Sequence, residues 1–271
     1  MLRLIKESEV DEVLKFLKPD IPNCIYMYTD IFMYRLNNPN MKVWVQKEKP
    51  ENQFVLIVMK YHDSFQLYSR SDRWDIDGVC ELIDQYDVQM VNGSVDMIKK
   101  LYERYEGKYR YSSGTIFRLN SCESFESEEK PEIATIEDVP EIAELLSQDE
   151  YYRDSYTKEE LENQLAERIN TGMGRSCIIR KDGKIVAHCA SFTEADGIAV
   201  SAGTIAHKDY RGHKLGLIVE NYMNRHMNDE GFQWFGFILE EERVKKFLEM
   251  GNEIVATYGK LVKINPQEVN H

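Results

Sequence analysis

The run Arg211-Gly212-His213-Lys214-Leu215-Gly216 lies between an apolar stretch ending at Ala206 and an amphipathic one that follows. Two glycines in such a loop let the backbone come close to a ligand, because no Cβ stands in the way. A helix opening there presents unpaired N–H groups and the positive end of its dipole, which together bind anions. Arg211, Lys214, Lys208 and His207 add positive potential. The chemistry this suits is phosphate or pyrophosphate binding. It is not a P-loop, since no Gly-Lys-Ser/Thr follows, and it is not the dinucleotide fingerprint. The same residues also describe a plain tight turn capped by glycines, so the elements around the loop must discriminate.

Other groups that could do chemistry are scattered. His188 and His207 titrate near neutrality, but a single histidine on a strand or loop serves structure more often than catalysis. Glu194 and Asp196 fall in a turn and are expected to be solvated. No pair of histidines has ligand spacing, so no metal is predicted. The five cysteines (Cys24, Cys80, Cys122, Cys177, Cys189) include no C-x-x-C and are odd in number. That argues against a disulfide framework and fits a reducing cytoplasm.

The elements that position the loop follow from periodicity. Gly197 to Ala206 reads as the strand entering it, and the helix from His213 places Leu217, Ile218, Tyr222 and His226 near one side. Upstream, Thr157-Lys158-Glu159-Glu160 is a capping box before a helix that stops at Thr171-Gly172. Arg175 to Arg180 and Ile185 to Phe192 are strands, and Asp182-Gly183 between them signals a hairpin. Downstream, Phe232 to Leu239 is a strand, Glu240 to Met250 a charged helix, and Ile254 to Ile264 a last strand region.

The N-terminal half has the same grammar. Val10, Val13, Leu14 and Leu17 line one helix face, and aligning Val10 with Val139 pairs Val13 with Ile142 and Leu17 with Leu146. The closing segments also match, Gly114 to Asn120 with Gly259 to Asn265. A tandem repeat of one domain follows. Between the halves, SCESFESEEKPE has the composition of a solvated linker. The predicted organisation is therefore a domain over 1–120, a linker over 121–132 and a domain over 133–271. Where the second half has its loop, the first has Ser69-Arg70-Ser71-Asp72-Arg73-Trp74 without a glycine pair, so it is expected to be a degenerate copy.

A chain of 271 residues, 42% hydrophobic and 30% charged, is long enough for two cored domains. Its net charge of −13 disfavours nucleic-acid binding. No apolar run approaches the ~20 residues that span a bilayer, and the N-terminus breaks into charge too early for a signal peptide.

The order Tyr-Arg-Gly-x-x-Leu-Gly after an apolar strand resembles motif A of the GNAT superfamily of N-acetyltransferases, written Arg/Gln-x-x-Gly-x-Gly/Ala. Arg211 and Gly216 match its first and last positions, while Lys214 stands at the first motif glycine. The resemblance implies an α/β (α+β) fold: two tandem GNAT-like domains, each a mixed, mostly antiparallel twisted sheet flanked by helices. It also implies that His207, Arg211, Gly212, His213, Lys214, Leu215 and Gly216 surround the pyrophosphate of acetyl-CoA. A backbone amide of Ile205 or Ala206 would hold the thioester carbonyl, with the pantetheine arm paired to the strand edge.

The family's tyrosine that protonates the leaving thiolate aligns with Phe247, which is expected to contact the cofactor but cannot donate a proton. Tyr258 is the candidate substitute. Glu240 replaces an asparagine at the start of that helix and is a candidate for attracting a cationic amine. Ser201, beside the Val200 that aligns with a glutamate base of some relatives, is a candidate for orienting a water. The resemblance implies transfer of acetyl from acetyl-CoA to a small amine by direct attack, without metal, nucleic acid or membrane, in a monomer or homodimer. The acidic composition favours a cationic acceptor. The alternative is a non-catalytic acyl-CoA-binding sensor or interaction module.

Overall fold

The computed structural model describes residues 2–48, 53–120 and 128–264. Most of the expected linker, residues 121–127, lies outside the described residues. Backbone contacts divide the chain into two units. The first comprises Met1–Ile116, Ile238–Glu240 and the chain from Val255 onward, and the second comprises Phe117–Phe237 and Glu241–Ile254.

The first repeat runs β1 (Arg3–Leu4), α1 (Val10–Leu17), α2 (Ile25–Tyr34), β2 (Met41–Glu48), β3 (Gln53–Tyr61), β4 (Ser64–Ser69), α3 (Ile76–Tyr86), β5 (Met90–Gly93), α4 (Val95–Tyr105) and β6 (Tyr109–Arg118). The second runs β7 (Glu132–Ile133), α5 (Val139–Leu146), α6 (Glu150–Ser155), α7 (Lys158–Thr171), β8 (Ser176–Lys181), β9 (Lys184–Ala195), β10 (Ile198–Ala206), α8 (Leu215–Asp229), β11 (Gln233–Ile238), α9 (Glu241–Glu249) and β12 (Glu253–Lys263). The short α6 has no counterpart in the sequence reading.

Pairing repeats as well as order. Strands β1 to β4 pair antiparallel in sequence, and β4 then pairs parallel with β5. Strands β7 to β10 pair antiparallel, and β10 then pairs parallel with β11. These are mixed, mostly antiparallel sheets with helices packed on them, as the resemblance implied. Burial runs continuously from Val43 to Val45 and from Val55 to Met59, so both faces of these strands are covered. Tight hairpins set the register in the second repeat. Asp182 and Gly183 both have positive φ (51° and 79°), as do Asp196 and Gly197 (49° and 73°), the geometry of a two-residue type I′ turn. The expected capping box at Thr157 forms, its hydroxyl accepting from the Glu160 N–H at 3.2 Å. Gly172 ends that helix at φ 68°.

The closing strands depart from a simple tandem. β12, which ends the second repeat, pairs with β5 of the first through Gly259↔Gly93 to Val262↔Met90. The end of β6 runs beside β11, where the Leu119 N–H donates to the Trp234 carbonyl at 2.7 Å. The chain from Val255 is thus counted with the first unit, whereas the sequence-based boundaries place it in the second domain. The two closing segments that match in sequence explain their own glycines. A Cβ on Gly114 would lie 2.6 Å from the Tyr258 ring and 2.8 Å from the Ile238 carbonyl oxygen, and one on Gly259 would lie 2.7 Å from the Ile98 Cβ. β12 runs unbroken through Gly259.

The first unit's core gathers Trp44, Leu56, Val58, Phe65, Val91, Ile98 and Leu261. In the second, Val139, Ile142, Leu146, Leu161, Leu165 and Ile178 pack together, and α8 buries Leu215, Val219, Met223 and Met227. Among the described residues no helix is long and apolar enough to cross a membrane. Gly114→Ala and Gly259→Ala are each expected to destabilise the protein by about 1–3 kcal/mol, since the added methyl must displace packed atoms. Chemical denaturation of both variants checks this; unchanged midpoints would contradict the close approach.

Candidate functional site

The site begins where β10 loses its neighbour. The parallel ladder with β11 covers Ile198↔Gln233 to Val200↔Phe235, but β10 continues to Ala206. On its other side β10 stays paired with β9 as far as Ala206↔Ala187, with register shifts after Val200 and Ala202. Gly203, inside the second irregularity, has φ 64° and its carbonyl accepts from the His188 Nδ1–H at 2.8 Å. The His188 Nε2 then accepts from the Ser176 hydroxyl at 3.0 Å. Burial lowers this imidazole to about 4, so it is neutral and structural, holding the bulge.

Beyond Ala206 a single turn, Lys208–Tyr210, leads into the loop. The His207 Nδ1 accepts from the Asp209 N–H at 3.3 Å, and the His207 N–H donates to the Val186 carbonyl at 2.8 Å. Arg211, Gly212, His213 and Lys214 are exposed, and Leu215 is buried as the first anchor of α8. Gly212 has φ 85°, and a Cβ on it would meet nothing within 4 Å. Lys214, at the first motif glycine, sits at φ 60°, ψ 13° as the residue before α8. The lysine therefore keeps the left-handed turn that a glycine would take, at a cost that L-residues ordinarily avoid. A Cβ on Gly216 would lie 3.7 Å from the Thr204 Cγ2, so the first turn of α8 lies against β10. Open space over Gly212, the start of a 15-residue helix and the cations Lys208, Arg211 and Lys214 combine there the features that attract an anion.

The face of α8 toward β10 carries a group that sequence reasoning missed. Glu220 is only 8% exposed and hydrogen-bonds with Thr204. Burial pushes its carboxyl up to about 7, opposed by the Arg243 charge and by the Thr204 bond. The Thr204 hydroxyl also donates to the Cys189 Sγ at 3.4 Å, and that sulfur lies 3.8 Å from the Ser201 Oγ. Burial pushes the Cys189 thiol up to about 12, so it stays protonated. Ser201 is thus tied to this buried polar cluster.

Phe247 is buried against Phe117, ring centroids 5.6 Å apart, with the Arg243 guanidinium carbon 5.8 Å from its centroid. Glu240 and Tyr258 are counted with the first unit, apart from the unit that holds the loop. Glu194, expected to be solvated, is instead 6% exposed in its side chain and clamped by Arg175 at 2.5–3.1 Å. Arg175 also pairs with Glu230 at 2.7 Å. Arg175 thereby ties the end of β9 to the residue that follows α8.

Residues 131–246 match the family described as an acetyltransferase (GNAT) domain. That segment is thus similar to a GNAT domain. The whole chain is similar in fold to a GCN5-related N-acetyltransferase from Sphaerobacter thermophilus (13% identity, TM-score 0.66, covering 98% of this chain and 96% of that one). It is also similar to a GCN5-related N-acetyltransferase-like protein from Streptococcus suis (14%, 0.62, 96% and 100%). A tandem GNAT protein from the clavulanic acid biosynthesis pathway matches over 98% of this chain and 99% of its own, at 14% identity and TM-score 0.61. No curated protein matches the sequence significantly. Both repeats therefore carry the GNAT fold, and acetyl transfer is the family's general activity.

The first unit's counterpart site differs from that of the GNAT domain in three ways. Asp75 caps α3 itself, its carboxylate accepting from the Gly78 N–H at 3.0 Å, so the helix end already holds an anion. The two arginines of the loop have partners: Arg70 donates to the Tyr68 hydroxyl at 2.7 Å and to the Phe16 carbonyl, and Arg73 pairs with Glu48 at 2.8 Å. The strands also stay together, a Cβ on Gly93 falling 3.1 Å from the Leu67 carbonyl oxygen.

Glu220 has a consequence for stability. Its folded value of about 7 exceeds its ordinary 4.5, so the folded state holds a proton that the unfolded state has lost between those pH values. Its stabilising effect is complete below about pH 4.5 and is lost as pH rises to about 7, a change on the order of 3 kcal/mol. Glu220→Gln removes this contribution, so its melting temperature should gain on the parent as pH rises from 5 to 8. Parallel melting curves at every pH would contradict the assignment.

Proposed function

We propose that the GNAT domain binds acetyl-CoA along the β10 edge and transfers its acetyl group to an amine by direct attack. The observation that carries this reading is that β10 runs on from Val200, past its ladder with β11, to Ala206, into a cationic helix start. The backbone from Ser201 to Ala206 offers hydrogen-bonding groups to an extended amide chain, as an added strand would use them. Ile205 and Ala206 hold the thioester carbonyl, and the amides from Arg211 to Gly216, with His207 nearby, take the pyrophosphate. Acetyl-CoA supplies the acyl group; the chain aligns it and keeps water from the reacting carbon. Ser201 orients a water toward the amine. No metal takes part in this scheme. The acceptor is a small amine, with cationic compounds favoured by a net charge of −13.

A second reading, a non-catalytic acyl-CoA-binding module, is favoured by one observation: the family's tyrosine position is the buried Phe247. Thiol release from acetyl-CoA across an amine panel separates the two. Calorimetric titration with acetyl-CoA is expected to show one site per chain. Gly216→Asp places a carboxylate in the cradle at a position with room for a side chain. It should weaken binding at least about tenfold while the melting temperature holds. Equal affinity in the variant would misplace the site.

A further inference from the structure

We propose that Glu220 supplies the proton taken up by the departing thiolate, in place of the tyrosine hydroxyl that Phe247 lacks. The inference rests on the acetyl-transfer reading and names a catalytic residue within it. Three elements converge on this carboxyl. It sits on α8 one turn beyond Gly216, where the cradle ends. Its partner Thr204 belongs to the stretch of β10 past Val200 and flanks Gly216. From α9, Arg243 acts on it electrostatically while lying over the ring of Phe247. The Arg243 guanidinium thus links α9, where Phe247 stands at the family's tyrosine position, to the electrostatics of Glu220.

The charge environment suits an acid rather than a structural ion. A carboxylate kept in a buried place ordinarily has a close, hydrogen-bonded counter-ion. The interactions that favour its ionised form are the Arg243 charge and the Thr204 bond, and burial outweighs both. The other titratable group facing it is the Cys189 thiol of β9, which stays protonated; Ser201 and Thr204 of β10 do not titrate. Glu220 thus still holds its proton in about half of the molecules at neutral pH and in most below it, and Arg243 steadies the carboxylate formed when the proton leaves.

In the step, the amine nitrogen forms a bond to the acetyl carbon and the carbon–sulfur bond breaks. Its electron pair leaves on sulfur, which takes the Glu220 proton, while the amine's proton passes to water. Glu220 is reprotonated from solvent before the next turnover.

The test measures thiol release from acetyl-CoA with hydroxylamine, a small acceptor that is unprotonated at neutral pH, in the parent and in Glu220→Gln. Acetyl-CoA affinity is measured calorimetrically in both. The parent's rate is expected to fall above about pH 7 as Glu220 loses its proton. The variant should be about a hundredfold slower below that pH, without the alkaline fall, and should bind acetyl-CoA within about twofold of the parent. A variant that keeps the parent's rate and pH profile overturns the proposal. So does one that loses affinity tenfold, since Glu220 would then be a binding group, and so does a parent that binds acetyl-CoA but releases no thiol. A parent that does not bind acetyl-CoA at all overturns the acetyl-transfer reading itself. The melting comparison at pH 5 and 8 reports the buried carboxyl independently of activity.

Discussion

Backbone hydrogen bonding decides what this chain can do. A strand within a sheet must satisfy its N–H and C=O groups on both sides, and β10 stays paired with β9 to Ala206 through two register shifts but is laddered to β11 only as far as Val200. Much of the second unit supports that arrangement. His188 holds the Gly203 carbonyl at the bulge, Arg175 fixes the turn before the strand, and α8 closes over the far end with Gly216 against Thr204. The result is an extended edge that ends in a positive helix start.

The first unit has the same order and pairing, with a shorter run past its ladder, from Leu67 to Ser69. Its parallel ladder is also three residues long, but Gly93 stays in contact with Leu67, and Asp75 occupies the helix start that a phosphate would need. A repeat can keep its core while its helix start changes, since core positions and loop residues answer to different constraints.

The repeat is legible in the sequence because core periodicity survives: Val10, Val13 and Leu17 recur as Val139, Ile142 and Leu146. The cradle is legible because glycines and cations punctuate it. The left-handed turn at Lys214 is not, since a lysine there carries no conformational signal. The exchange of closing strands is hidden for a related reason. Gly114 and Gly259 head similar segments, and similar segments do not say which strand each pairs with. Glu220 escapes notice because it lies between Val219 and Asn221 on a helix read for its apolar positions. Its signal is an acid directly beside the buried stripe Leu215, Val219, Met223, one turn past the loop. Glu194 reads as solvated because its partner Arg175 is 19 residues away in sequence.

Amide hydrogen exchange with and without acetyl-CoA tests the central claim most directly, since it reads the proposed strand edge and cradle in the intact chain. Ser201 to Leu217 should become protected on addition of the ligand, while Ser69 to Asp75 should exchange unchanged. Protection confined to Ser69–Asp75, or no change in either segment, would contradict the account.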